Sequence, residues 1–236
     1  MRRYEHSNGS RTAAAIEVPP LQAGDKLTRA EFMSRWEQHP EIKFAELIGG
    51  VVYMPSRISR QYSVTDCRVS GWLGVYHAHT PGTEGGRNPT TLMLNEETPQ
   101  PDNYLRILPE FGGQSGNEGD YVSGAPELIA EISVTSASYD LNQKKDLYEL
   151  AGVREYVALL MYEQEIHWHR LNTNGFKRVT PGADMLWKST VFPGLWLDGK
   201  AMLANDAAKV LATLQQGLQS PAHAAFVKRL ARKRKQ

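Results

Sequence analysis

LIAEISV, residues 128–134, is a nearly unbroken apolar run of strand length. Such a run is typical of a central strand that other elements cover on both faces. Short extended segments and helical segments mix on either side of it, which predicts one α/β or α+β domain with a central sheet. The stretch therefore predicts the middle of a mixed β-sheet flanked by helices.

Glu131 is the one ionisable residue in this run. Alternation along a strand directs Glu131 and Ser133 to one face, while the opposite face is wholly apolar. A buried carboxylate is costly unless a cation or several hydrogen-bond donors meet it. We expect either a small polar pocket beside Glu131 or a structural pairing with an arginine or a helix end.

The next helix predicts a cation for that pocket. It is expected over Asp140–Ala151, with Gly152 as its C-terminal stop. At about 100° per residue, the apolar side chains of this helix define a buried arc that includes Lys144 but leaves Lys145 on the wet face. Lys144 is thus expected either to meet Glu131 or to extend along the apolar surface to water.

Asp102 is another acidic residue, placed where the chain enters a predicted strand, Tyr104–Leu108. The Pro-Asp pair is also a common turn signal, so it is informative only in combination. Two hard oxygen ligands can hold Mg²⁺ or Mn²⁺, and an ammonium group can orient water or offset charge on a phosphorane-like transition state. Asp102, Glu131 and Lys144 together predict metal-assisted phosphodiester hydrolysis.

At these residues the sequence resembles the Uma2 family, also called DUF820, a branch of the PD-(D/E)xK nuclease superfamily. The resemblance covers roughly residues 28–200 and is carried by a few stretches. They read KFAELIGG (43–50), VVYMPS (51–56), QPDNYLRILPEFGGQS (100–115) and GAPELIAEISVTSASYDLNQKKDLYELAGVREYV (124–157), followed by a strand pair.

The resemblance implies a restriction-endonuclease-like core in which Asp102 is the first acid and Glu131 the second. The usual superfamily pattern has a lysine two residues beyond the second acid, where this chain has Ser133. Similar family members take that lysine from the next helix, four residues before a tyrosine. Here this position is Lys144, which the helical spacing selects independently.

An added N-terminal hairpin is predicted over Lys43–Met54, around Gly49-Gly50. Glu46 matches an acidic position in the family's first hairpin, and the resemblance implies that it assists the metal site. The alternative is that Glu46 is a glutamate on the hairpin surface. Asn103 stands where similar sequences commonly have an apolar residue, so the strand is expected to start late beside Asp102.

Other elements are predicted from caps and breakers. The predicted segments are a helix opened by a capping box of Thr28 and Glu31, a helix over 59–79, strands over 92–94, 155–162 and 164–171, a mobile glycine-rich connection over 112–124, and a helix over 200–218. Two H-x-H pairs, 77/79 and 167/169, do not amount to the three or four ligands of a zinc site. The second pair instead predicts a half-exposed strand with Trp168 inward.

Composition limits the possible functions. The chain has 236 residues, 41% hydrophobic and 22% charged, with Cys67 as its only cysteine, which excludes an internal disulfide and a thiolate zinc cluster. Its longest apolar runs are too short to span a membrane, and the N-terminus lacks a signal-peptide core, so we expect a cytoplasmic protein with no membrane association. We expect a flexible leader (1–25), a restriction-endonuclease-like domain (26–218) and a basic C-terminal tail (219–236).

The basic tail allows two interpretations, a frayed solvated end or an arm that contacts phosphates. The net charge of +1 gives no argument for nucleic acid from bulk charge. The residues and the resemblance nevertheless favour a Mg²⁺- or Mn²⁺-dependent endonuclease acting on nucleic acid, with DNA preferred over RNA. A non-catalytic nucleic-acid or protein-binding module on the same fold and a hydrolase of small phosphate esters are the alternatives. A homodimer is compatible with cutting both strands.

Overall fold

The computed structural model describes residues 18–54, 57–134 and 136–234. Most of the predicted leader, residues 1–17, lies outside them. The helices are α1 (Arg29–Glu37), α2 (Arg60–Ala78), α3 (Ala137–Tyr139), α4 (Lys145–Ala151), α5 (Gly199–Leu203), α6 (Ala207–Leu218) and α7 (Pro221–Lys233). The strands are β1 (Glu46–Ile48), β2 (Val51–Tyr53), β3 (Thr83–Arg87), β4 (Thr91–Leu92), β5 (Asn103–Ile107), β6 (Gly116–Glu118), β7 (Tyr121–Ser123), β8 (Leu128–Ser133), β9 (Glu155–Leu160), β10 (Glu165–Asn172), β11 (Gly175–Val179), β12 (Leu186–Lys188) and β13 (Trp196–Asp198).

A six-stranded mixed sheet in the order β11-β10-β9-β8-β5-β3 forms the centre of the fold. Strand β8 pairs parallel with β9 and antiparallel with β5. All six residues of β8 are buried. Its Leu128, Ala130 and Ile132 join the larger core with α2, whereas Ile129 joins a second core on the other face. The predicted central strand and the mixed α/β architecture are thus confirmed.

The N-terminal segment forms the predicted hairpin and its preceding helix. The Thr28 side chain and Glu31 form the capping box at the start of α1. Strands β1 and β2 pair antiparallel, with Glu46 opposite Tyr53. Apolar side chains of α1 and the hairpin, Phe32 and Leu47 among them, pack into a small core of their own. This unit brings Glu46 to the edge of the main domain.

Some connections differ from their predictions. Residues 112–124 contain the antiparallel pair β6–β7 with a left-handed Gly119 at its turn, and β7 also pairs with β4. The predicted strand at 92–94 ends at Leu92, and a 3₁₀ turn follows. The predicted C-terminal helix is split into α5 and α6 because Asn205 has a positive φ and Asp206 caps α6. Short strands and turns of this kind carry little periodicity, so sequence patterns miss them.

The basic C-terminal segment is helical rather than frayed. Phe226 and Leu230 of α7 lie in the larger core. The His223 ring bonds the Thr80 hydroxyl near the end of α2 and the Leu218 carbonyl. Helix α7 is therefore fixed to the body of the domain. Among the described residues, no helix combines the length and apolar character needed to cross a bilayer.

Strand β10 carries the second H-x-H pair. Trp168 is fully buried, as predicted, but His169 is also buried at 7% exposure, so the expectation of a half-exposed strand is wrong there. The His169 ring lies near the rings of Tyr156 and Phe176, and its Nδ1 has no hydrogen-bond partner among the described residues. Phe176 belongs to β11, the neighbouring strand of the same sheet.

Acid is expected to destabilise the fold through His169. Burial lowers its pKa from 6.5 to about 4, so between these values the unfolded chain binds more protons and stability falls as the pH falls. At roughly 1.4 kcal/mol per pKa unit, the free energy of unfolding near pH 5 is lower by about 2 kcal/mol than it would be without this titration. Urea unfolding of wild type and His169→Phe near pH 7 and pH 5 measures it. Between pH 7 and pH 5 the free energy of unfolding of wild type should fall by about 2 kcal/mol more than that of His169→Phe. His169→Gln should behave like His169→Phe if titration of the ring, and not its packing, is the cause.

Candidate functional site

Asp102 lies immediately before β5 and faces the middle of β8. The β5–β8 register pairs Asn103 with Ala130, which places Asp102 beside Glu131. The backbone N–H of Ile132 donates to Asp102 Oδ2 at 2.7 Å, and the Tyr62 hydroxyl donates to Oδ1 at 2.5 Å. The strand starts at Asn103, one residue before the predicted Tyr104, so the expected late start is wrong, and Asp102 lies next to Glu131.

Glu131 is 2% exposed and receives donors on both carboxylate oxygens. The Lys144 ammonium and the Tyr148 hydroxyl lie 3.1 Å and 2.6 Å from Oε1. The Asp102 backbone N–H donates to Oε2 at 3.3 Å. A cation and several donors offset part of the cost of burying this carboxylate.

Lys144 ends a π-helical turn, Asp140–Lys144, between α3 and α4. Its ammonium contacts Glu131 and also Glu46 Oε1 at 3.0 Å. Lys144 is buried, whereas the side chain of Lys145 is a quarter exposed and pairs with Asp146. The helical spacing thus selected the buried lysine correctly. Single π turns within α-helices are frequent at functional sites.

Glu46 joins this group from the first residue of β1. Its Oε1 accepts the backbone N–H of Gln100 at 2.8 Å in addition to its contact with Lys144. The side chain is 15% exposed, so Glu46 is not a surface glutamate. Its carboxylate holds the lysine, and a part in metal binding stays a prediction.

Acidic side chains outnumber cationic ones at this site. Burial raises the pKa of Asp102, and it raises that of Glu131 well above its ordinary value. Burial opposes charge on Lys144, but the carboxylates of Glu131 and Glu46 outweigh it and keep its pKa well above normal. The charges acting most strongly on Glu131 are one lysine and three acids, namely Lys144, Asp102, Asp140 and Glu46. A further cation would therefore be stabilised here.

Two tyrosines and one acid of this site were not predicted. Tyr148 bonds Glu131 and lies one helical turn beyond Lys144, so the same spacing argument could have found it. Tyr62 reaches Asp102 from α2, forty residues away in sequence, and no local pattern signals that contact. Asp140, the first residue of the π turn, is buried, and its Oδ2 accepts the Ser136 hydroxyl at 2.6 Å.

The donor set fits a hard divalent cation. Within the described ranges no three His, Cys, Asp or Glu side chains are grouped so that they could hold a metal ion. Mg²⁺ usually binds one or two carboxylates and retains several waters, whereas structural zinc requires four protein ligands. The adjacent Asp102 and Glu131 side chains, in a site where acids outnumber cations, therefore suit Mg²⁺ or Mn²⁺.

The mixed sheet and its flanking helices define a restriction-endonuclease-like α/β protein. The model of the Uma2 family, described as "Putative restriction endonuclease", matches residues 29–200. The chain belongs to this family. Proteins of restriction-endonuclease-like families generally use divalent metals.

A solved structure has the same fold. It is described as a putative nuclease belonging to DUF820 from Anabaena variabilis ATCC 29413, and it superposes with a TM-score of 0.59. The match covers 76% of this chain and 98% of the other at 14% sequence identity, a level at which the similarity concerns the fold alone. No curated protein matches the chain.

Proposed function

We propose that this protein is a Mg²⁺- or Mn²⁺-dependent endonuclease that hydrolyses phosphodiester bonds in DNA. The observation that carries the proposal is that Asp102, Glu131 and Lys144, from three separate elements, lie together, with the Lys144 ammonium and the Asp102 backbone N–H both bonded to the buried Glu131 carboxylate. Membership of a family described as putative restriction endonucleases supports the same reaction class.

Each side chain has a distinct task in this proposal. Asp102 and Glu131 would hold the divalent ion, which when bound supplies Lewis-acid stabilisation of charge on the scissile phosphate. The Lys144 ammonium orients the attacking water or offsets the negative charge that develops on the phosphate. Tyr148 and Glu46 fix the positions of Glu131 and Lys144 through their hydrogen bonds.

Lys144 acts here as a cation rather than as a general base. Its raised pKa means that the amine keeps its proton near neutral pH. A protonated amine cannot accept the proton of the attacking water, so that proton passes to another acceptor. Its two carboxylate contacts also restrict it to one position, which favours electrostatic stabilisation over proton transfer.

Metal removal tests the proposal directly. Supercoiled plasmid is incubated with the purified protein in Mg²⁺, in Mn²⁺ and in EDTA, and conversion to the nicked form is followed with time. We expect nicking with either metal, a loss on the order of 10³-fold or more in EDTA, and recovery when metal is restored. Equal nicking in EDTA would contradict the proposal, and metal-independent duplex binding without nicking would favour the non-catalytic binding module.

A further inference from the structure

Positive charge is concentrated at one end of this chain. Beyond Asp206 the sequence contains seven Lys and Arg residues and no acid. The preceding 206 residues hold the other 20 Lys and Arg and all 26 Asp and Glu. A near-neutral net charge thus conceals a strongly basic C-terminal region attached to an acidic body.

Helix α7 presents most of that charge on one side. Lys228, Arg229, Arg232 and Lys233, here called the basic face, fall within an arc of about 140° at 100° per residue. All four side chains are exposed. Phe226 and Leu230, at about 160° and about 200° from Lys228 on the same scale, lie beside this arc and are buried in the core, so the basic face is held in a fixed orientation.

The basic face lacks compensating charge. None of its four residues forms an ion pair with an acid in the part of the chain that the structure describes. Its members also repel one another, because Lys228 and Arg232, like Arg229 and Lys233, are four residues apart. The helix dipole favours cations only in the last turn. Arg229 also lies over the Phe226 ring at 4.9 Å, but a ring contact does not neutralise its charge. An anionic partner would relieve this repulsion.

The basic face is separate from the candidate active site. Helix α7 approaches the turn that follows β5, where Arg234 lies over the Phe111 ring at 5.5 Å. Asp102 lies at the opposite end of β5, whose five residues span about 17 Å. Glu131 faces the core that contains Tyr148, whereas Phe226 packs in the core on the other side of the sheet.

Charge and the absence of apolar anchors indicate the partner. A helix that binds a lipid surface inserts apolar side chains between the headgroups, but those of α7 are used within the core. None of the large hydrophobic side chains found exposed in the described residues belongs to α7. Duplex DNA carries one charge per roughly 1.7 Å of its axis, which suits four clustered cations on a rigid helix.

We propose that the basic face of α7 is a second DNA-binding surface that contacts backbone phosphates outside the cleavage site. The proposal rests on the proposed nuclease function for its choice of DNA. Phosphate contacts fix position and carry no sequence information. The basic face therefore strengthens binding to duplexes of any sequence without entering the chemistry at Asp102 and Glu131.

Salt-dependent binding in EDTA tests this surface without requiring cleavage. Fluorescence anisotropy measures the Kd of the full chain for a duplex of about 30 base pairs between about 50 and 200 mM salt. The basic-face variant replaces its four residues with glutamine, and a matched control removes four exposed cations elsewhere. The control substitutions are Lys43→Gln, Lys177→Gln, Arg178→Gln and Lys200→Gln.

Each phosphate contact contributes about −0.9 to the slope of log K against log salt concentration. The slope of the basic-face variant should therefore be shallower than that of wild type by about 3 to 4. Its affinity near 100 mM salt should fall by at least about tenfold, and the control should stay close to wild type. Circular dichroism and thermal unfolding verify that the variant retains α7 and the fold.

Unchanged slopes, equal losses in variant and control, or no binding by wild type would overturn the proposal. Salt-sensitive binding of wild type to phosphatidylserine vesicles or to polyglutamate, with none to the duplex, would also overturn it. The two proposals fail separately, because a protein that does not nick plasmid can still show the predicted difference in salt dependence between wild type and the basic-face variant. Conversely, unchanged slopes leave the metal-dependent nicking of plasmid untouched.

Discussion

Lys144→Met is expected to reduce the rate of plasmid nicking by on the order of 10² to 10³-fold, the usual cost of removing one preorganised hydrogen-bond donor from an active site. Methionine preserves most of the apolar stem, so the packing loss is small. The charge that opposes Glu131 and Glu46 disappears, however. Nicking under conditions of saturating metal and plasmid measures the effect on the chemical step.

Lys145→Met is the matched control for this substitution. The two lysines are adjacent on the same helical segment, but Lys145 is a quarter exposed and pairs with Asp146. It should nick plasmid at close to the wild-type rate. Because Lys144→Met leaves buried carboxylates without their cation, its thermal unfolding is measured beside the activity. A folded Lys144→Met protein that nicks at the wild-type rate would remove Lys144 from the mechanism.

Glu131→Gln is expected to weaken Mn²⁺ binding by on the order of 100-fold or more, since loss of even an outer-shell partner typically costs 10- to 100-fold. The amide retains the size of the side chain and its acceptor oxygen, so Tyr148 and Lys144 keep a partner. It lacks the negative charge that a divalent ion requires. Isothermal titration with Mn²⁺ gives the affinity, and the metal-induced rise in Tm gives an independent measure of it.

Glu127→Gln provides a control of the same residue type and burial. Glu127 precedes β8 at its other end, is fully buried, and accepts backbone N–H groups of Ile107 and Gln114. Its substitution can lower the Tm without metal, but the shift caused by Mn²⁺ should remain as in wild type. If Glu131→Gln retained that full shift, Glu131 would not hold the ion.

The identity of the buried lysine could be predicted because helical phase is a local property. Spacing alone separates Lys144 from Lys145, and burial agrees with it. The π turn that delivers Lys144 to Glu131 could not be predicted in the same way. An extra residue in one helical turn leaves no periodic signal in a segment this short, because its cost is offset by contacts with other elements.

The partners of the acids depend on longer-range geometry. Asp102 and Glu131 are brought together by the register of β5 against β8, which is set by the pairing of whole strands. Glu46 reaches Lys144 only because the N-terminal hairpin docks at this place. Tyr62 reaches Asp102 only because α2 packs along the sheet. No residue within one segment specifies any of these meetings.

By itself the sequence determined the strand around Glu131, the inward lysine of the following helix, the capping box and the hairpin. These follow from periodicity and local hydrogen bonding, which act over a few residues. Only the tertiary structure decided which carboxylates surround Lys144, that His169 is buried, and that the basic C-terminal segment is a docked helix. Those features depend on burial and strand register, which are properties of the assembled core and not of any one segment.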